Sequence, residues 1–220
     1  MVKQNRYNPP VVKLKQLLDN GKLGHISSFQ VNCFWNRPDA YFSTSDWKGR
    51  LAKDGGALYT QFSHFIDLLI WLLGEVKSIQ AITDNHFHQQ IETEDCGIAL
   101  LEMENGSIGT LHYTLNAYQQ NMEGSITLFG SKGTIKIGGQ YLNELTYLQP
   151  NPQEATLPAG NHSNDYGYYQ GSMSNHDLVY DLLLENLQSG AAGLPDATEG
   201  AKSVELIHRF YELTRKSKKH

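Results

Sequence analysis

The chain has 220 residues, 40% hydrophobic and 19% charged, with a formal net charge of -5 at pH 7. A chain of this length buries roughly 70% of the surface its unfolded form exposes, so its core needs no disulfides or structural metal, and a small stapled module is excluded. The acidic balance gives no electrostatic reason to expect nucleic acid or an anionic membrane as partner.

In chain order, the first element reads as an amphipathic helix. Asn8 can cap it, Pro9 and Pro10 suit its first turn, Gly21 suits the C′ position, and Val11, Leu14, Leu17 and Leu18 recur at helical spacing. Residues 25–36 alternate and are rich in Phe, Val, Ile and Trp, the signature of a strand. The polar, aromatic segment from Arg37 to Trp47 has no periodicity and is a candidate binding loop. Gly55-Gly56 opens the strongest helix, predicted to run to Leu73 and stop at Gly74. Its circumference is mostly apolar except for Thr60, His64 and Asp67, which fall at i, i+4 and i+7 on one face. A polar stripe on a buried helix is costly unless something polar meets it.

Strands are predicted near 76–86, 94–104, 107–116, 123–130, 133–139 and 142–148, separated by turn formers such as Glu104-Asn105-Gly106-Ser107 and Gly130-Ser131-Lys132-Gly133. Connections this short force antiparallel neighbours. After a loop over 150–175, helices are predicted from Asn175 to about Ser189 and from Thr198 to about Lys216. The expected fold is a single α+β domain over residues 1–220, a large, mainly antiparallel open sheet with helices on one face.

The basic tail, Arg215, Lys216, Lys218 and Lys219, reads as a solvated helix end. Two cysteines, Cys33 and Cys96, are too few for a disulfide framework and fit a reducing, cytoplasmic setting. No signal-peptide core or membrane-spanning run is visible. Nor is there a Walker loop, a nucleophile elbow, an H-E-x-x-H motif or a dinucleotide fingerprint. Gly130-Ser131-Lys132-Gly133 joins two strands and reads as a hairpin turn, not a phosphate cradle. Asp84, His86 and His88 would share a strand face but lack a third His or Cys at ligand spacing, so no metal site is predicted. Tyr166, Tyr168 and Tyr169 read as surface or interface groups. His64 and Asp67 have two readings, a helix-packing polar pair or a proton-exchanging histidine oriented by a carboxylate.

The segment Gly55-Gly56-Ala57-Leu58-Tyr59-Thr60-Gln61-Phe62-Ser63-His64-Phe65-Ile66-Asp67, followed by Trp71-Leu72-Leu73-Gly74, resembles the G-G-x-L-x-D-x-x-x-H-x-x-D helix of the Gfo/Idh/MocA family of nicotinamide-dependent sugar oxidoreductases. Lys3 to Pro9, Gly21 to Gly24, Asn32 to Arg37, Ser45 to Gly49 and Phe129 to Ile135 are similar to the branch that oxidises UDP-N-acetylglucosaminuronate-type sugars for lipopolysaccharide synthesis. The resemblance implies a substrate-binding and oligomerisation domain. NAD or NADP would be bound mainly by a preceding Rossmann domain ending in Glu-Lys-Pro. Neither that domain nor its lysine appears in this sequence, so the chain alone is expected to be inactive. The resemblance makes His64 the catalytic residue at the reacting hydroxyl, with Asp67 one turn on. Thr60 replaces the family aspartate and, with Gln61, would hydrogen-bond sugar or nicotinamide. Arg6 and Arg37 would hold uronate or pyrophosphate, with ion-pair roles as their alternative, and Trp35, Tyr41 and Trp47 would offer faces to a sugar or uracil ring. The expected partners are a sugar or nucleotide sugar and further copies of the chain, as a dimer or tetramer joined through the sheet face. A truncated homologue acting as a sugar-binding or assembly module is the alternative.

Overall fold

The computed structural model describes residues 2–150, 157, 162–167, 169–173, 175–190 and 194–217. Tyr168, Lys218 and Lys219 lie outside the described residues, as do the side chains of Arg215 and Lys216. A 3-10 turn, Gln4–Tyr7, leads into α1 (Pro9–Asp19), and β1 (Ile26–Phe34) follows. Gly21 ends α1 at φ 62°, with its N–H on the Leu18 carbonyl and that of Lys22 on Leu17, a Schellman closure that needs the left-handed residue. Asn8 stands at the N-cap without capping. Its amide is claimed across the fold, donating to the Tyr141 carbonyl at 2.9 Å and accepting from Asn175 at 2.6 Å.

A short α2 (Asp39–Ser43) precedes the predicted long helix, which is two pieces, α3 (Ala57–Thr60) and α4 (Ser63–Leu73). The break at Gln61 and Phe62 corrects the single polar stripe. Thr60 belongs to the first piece, is exposed, and returns its hydroxyl to the Gly56 carbonyl. Gln61 is freed to turn toward Arg37, and Phe62 drops into the core against Trp35 and Tyr113. Gly56 must be glycine, because at φ 127° a Cβ would sit 2.2 Å from the Tyr211 hydroxyl oxygen.

The strands β2 (Val76–Asp84), β3 (Cys96–Met103), β4 (Ile108–Thr114), β5 (Glu123–Gly130), β6 (Gly133–Gly138) and β7 (Glu144–Gln149) join β1 in one sheet of order β2-β3-β4-β1-β5-β6-β7. Every neighbouring pair is antiparallel except β1 with β4. Register lines up Ala99, Leu111, Val31, Ile126 and Ile137 as one buried row across five strands. The adjacent row, Leu100, Thr110, Gln30, Thr127 and Lys136, faces the other way, as period-2 alternation requires. A small hairpin, β8 (Ser163–Asp165) and β9 (Gln170–Met173), precedes α5 (His176–Ser189) and α6 (Ala197–Ser217). Helices α1, α4 and α6 touch β6, β1 and β2, and α4 lies buried along Phe65, Ile66, Leu68, Leu69, Leu72 and Leu73. The expected α+β sheet with a helical layer is therefore what the chain forms.

Candidate functional site

Two basic clusters flank the start of α4. In the first, Arg6 reaches Asp67 from the 3-10 turn with a bidentate fork, Nε and Nη2 each donating at 2.8 Å to one carboxylate oxygen, and Nη1 donates to Glu199 at 3.2 Å. Trp71 covers the guanidinium 5.0 Å from its ring centre. Asp67 thus serves Arg6, and no hydrogen bond joins it to His64 among the described residues. Lys3 is buried with its ammonium 3.4 Å from the Ser63 carbonyl. Burial lowers the Lys3 pKa, Asp67 opposes the shift and Arg6 adds to it.

His64 is half-buried, but its Nδ1 is shut from solvent with no hydrogen-bond partner. Burial, then the Lys3 charge, lowers its pKa from 6.5 to about 4, against the pull of Asp67. The ring is therefore neutral near pH 7. Asn5 Oδ1, on the neighbouring turn, is a second enclosed acceptor without a partner.

The second cluster is built on Arg37, which is 2% exposed. Its Nε donates to Gln61 Oε1 at 2.7 Å, and Nη1 donates to the Asn36 carbonyl at 2.6 Å and to Asn121 Oδ1 at 3.3 Å. Trp35, Tyr41 and Tyr169 surround the guanidinium with ring centres at 5.1, 5.3 and 4.8 Å. No carboxylate among the described residues pairs with it. Burial lowers its pKa, yet a guanidinium stays charged in proteins. Lys48 lies over Tyr41 at 3.9 Å and beside Trp47 and Tyr169, each at 5.9 Å. Two cations thus share the Tyr41 and Tyr169 rings.

Of the residues singled out in the sequence, Trp35, Arg37, Tyr41 and Gln61 come together in this second cluster, and Arg6, His64 and Asp67 in the first. Thr60 joins neither. Sequence reasoning missed Lys3, Lys48, Asn121, Tyr141 and Gln170. Asn121 Nδ2 donates to the Gln170 carbonyl at 3.0 Å and to the Tyr141 hydroxyl at 3.2 Å, fixing the amide that meets Arg37. Tyr169 stands edge-on to Tyr41 at 4.9 Å and stacks on Tyr166 at 4.8 Å, so it is a wall of the cluster. Only Lys48 carried a local signal, its place directly after Trp47 in the aromatic loop.

An open, mainly antiparallel sheet carrying these clusters at its helix-covered side defines a known class of domain. The family model for the GFO/IDH/MocA C-terminal domain matches residues 11–136, and the chain belongs to that family. Among solved structures, the WlbA dehydrogenase from Bordetella pertussis, in complex with NADH and UDP-GlcNAcA, is 34% identical at a TM-score of 0.81, covering 98% of this chain and 60% of that one. Levoglucosan dehydrogenase of Pseudarthrobacter phenanthrenivorans is 22% identical over 64% of this chain and 42% of its own length. The scyllo-inositol 2-dehydrogenase (NADP(+)) IolW of Bacillus subtilis is 21% identical over 97% of this chain and 61% of its own length. This chain therefore spans about two fifths to three fifths of the relatives it matches.

Proposed function

We propose that this chain is the substrate-binding part of an NAD(P)-dependent dehydrogenase acting on a sugar hydroxyl, and that the sugar is an acidic nucleotide sugar of the UDP-N-acetylhexosaminuronate type. The observation that carries the reading is Arg37, a buried cation with no acid beside it among the described residues. A buried charge held only by neutral groups remains costly, and an anion is the partner that would relieve it. Trp47, Tyr41 and Tyr169 supply faces for a sugar or base, and Lys48 a second positive group at the rim. His64 accepts the hydroxyl proton as the carbinol carbon is oxidised. Arg6 and Asp67 hold the 3-10 turn against α4, keeping His64 in place, and Gln61 orients Arg37.

A bound nicotinamide cofactor supplies the hydride acceptor. The Gly55-Gly56 turn does not suit its pyrophosphate, because Glu94 and the Tyr211 hydroxyl already accept from the Ala57 and Leu58 amides. The rest of the cofactor belongs on a Rossmann domain outside these residues. Alone, the chain should bind UDP-GlcNAcA without forming NADH. Calorimetric titration should show binding by the wild type that falls at least tenfold in Arg37→Met. NADH formation by the chain alone, or equal binding by the variant, would overturn the reading.

The open sheet face favours assembly of copies of the chain. Ile82, Ile98, Leu100 and Ile108 stand 79%, 49%, 56% and 59% exposed there, and a cavity of about 700 Å³ lies between Ile82, Ile98, Leu100 and His112. Light scattering should find a dimer or tetramer that Ile98→Glu dissociates. A wild-type monomer at high protein concentration would exclude this part of the proposal. No described helix is long and apolar enough to cross a membrane.

A further inference from the structure

The segment between β2 and β3 folds around one carboxylate. Asp95, fully buried, accepts from the backbone N–H of His86, Phe87 and His88, the shortest at 2.8 Å, and from His88 Nδ1 at 3.2 Å. The other ring nitrogen of His88, Nε2, lies 2.7 Å from the Arg37 carbonyl oxygen. Phe42 closes the ring edge-on at 5.1 Å. A second tie joins the same two segments, Gln90 Nε2 donating to Asp39 at 2.6 Å.

The two partners of the His88 ring are a carbonyl and a carboxylate, and both can only accept. A neutral imidazole carries one N–H and would present a lone pair to one of them. Both bonds form together only when both nitrogens are protonated. The charged groups facing the ring are Asp95 on its own segment and Asp39 on the segment after β1, whereas Arg37 offers it only a backbone carbonyl. Two acids favour the imidazolium.

We propose that His88 is a positioning residue for Arg37, a doubly protonated ring that clamps the Arg37 carbonyl to Asp95 and so sets where the guanidinium meets its anion. What Arg37 binds rests on the function proposed above; the clamp itself does not. Burial opposes the charge, but the bonds to Asp95 and to the Arg37 carbonyl, with the charges of Asp95 and Asp39, raise the His88 pKa above 6.5. A raised pKa means that the clamp is complete below pH 6.5 and is lost as pH rises through the folded value.

The direct test needs no variant. In the histidine-labelled chain, long-range nitrogen NMR at pH 6.5 should show both His88 nitrogens protonated, with one proton lost at higher pH. As it is lost, the Arg37 amide, bonded to the Leu115 carbonyl at 3.0 Å, should lose protection at least threefold beyond the rise in exchange that hydroxide catalysis gives every amide. A single-tautomer neutral ring at pH 6.5, or Arg37 exchange that ignores the His88 titration, overturns the clamp. With UDP-GlcNAcA as probe, wild-type affinity should fall about tenfold across that titration, whereas His88→Gln should bind weakly and without this pH dependence. A variant that binds like the wild type at pH 6.5 also overturns the proposal. Absence of binding by the wild type at every pH sinks the substrate reading and leaves the NMR result to decide the clamp.

Discussion

Arg6 and Arg37 are both buried and both lie against tryptophan, yet they differ in one respect that separates an internal fastener from the proposed anion site. Arg6 meets Asp67 through a two-bond fork and Glu199 through a third contact. Among the described residues, Arg37 meets only amide and carbonyl oxygens and aromatic faces. A guanidinium that finds its anion within the chain is a fastener, since breaking the pair strands a charge in the interior. One supplied only with neutral acceptors is oriented without being neutralised, which is the state expected of a receptor for an anion from outside.

The largest effect follows from the fastener. Asp67→Asn should cost about 3–5 kcal/mol in urea denaturation, because among the described residues Arg6 keeps only the half-exposed Glu199 as a charged partner. Arg37→Met should change stability by no more than about 1 kcal/mol, relief of a buried cation offsetting its lost hydrogen bonds. Equal losses in the two variants would erase the distinction between the arginines.

A somewhat smaller effect tests the base beside the fastener. The folded His64 pKa, about 4, lies below the 6.5 of the unfolded chain. Between those values the unfolded state binds the extra proton, so stability is full above pH 6.5 and falls as pH drops toward 4. The loss amounts to about 3 kcal/mol. Stability curves of the wild type and His64→Gln should diverge over that window and run parallel above it. Parallel curves throughout would mean that His64 is not the enclosed neutral base described.

Much of this architecture is legible in the sequence, because alternation and turn residues act locally. Strands β2 to β6, the helix starts near Pro9 and His176, and the Gly21 stop fall where spacing places them. What spacing does not reveal comes from distant partners. Strand β1 enters the sheet parallel to β4, a pairing across about 80 residues that no short turn announces. The break before α4 goes with the bond from Arg37 to Gln61, a distant partner that a helical wheel cannot contain. Asp67 looked like the partner of His64, three residues away, but Arg6, 61 residues away, offers the better fork. Arg37, Tyr41 and Trp35, singled out for the substrate that the resemblance implies, lie together in one cluster. Tyr169, Gln170 and Asn121 were not singled out as site residues, because each joins that cluster only through a contact the fold creates.

The smallest effect sharpens the contrast on the receptor side. Lys48 is partly exposed and rests on Tyr41, so its attraction for an anion passes largely through water and ions. Arg37 is 2% exposed, and salt reaches it poorly. Lys48→Met should therefore weaken UDP-GlcNAcA binding by only about two- to fivefold at low salt, roughly 0.5–1 kcal/mol, and the difference should vanish near 0.5 M salt. The Arg37→Met deficit should persist there. If both deficits faded together, the anion would be held at the surface and the burial of Arg37 would have no part in recognition; if both persisted, Lys48 would belong inside the receptor with it.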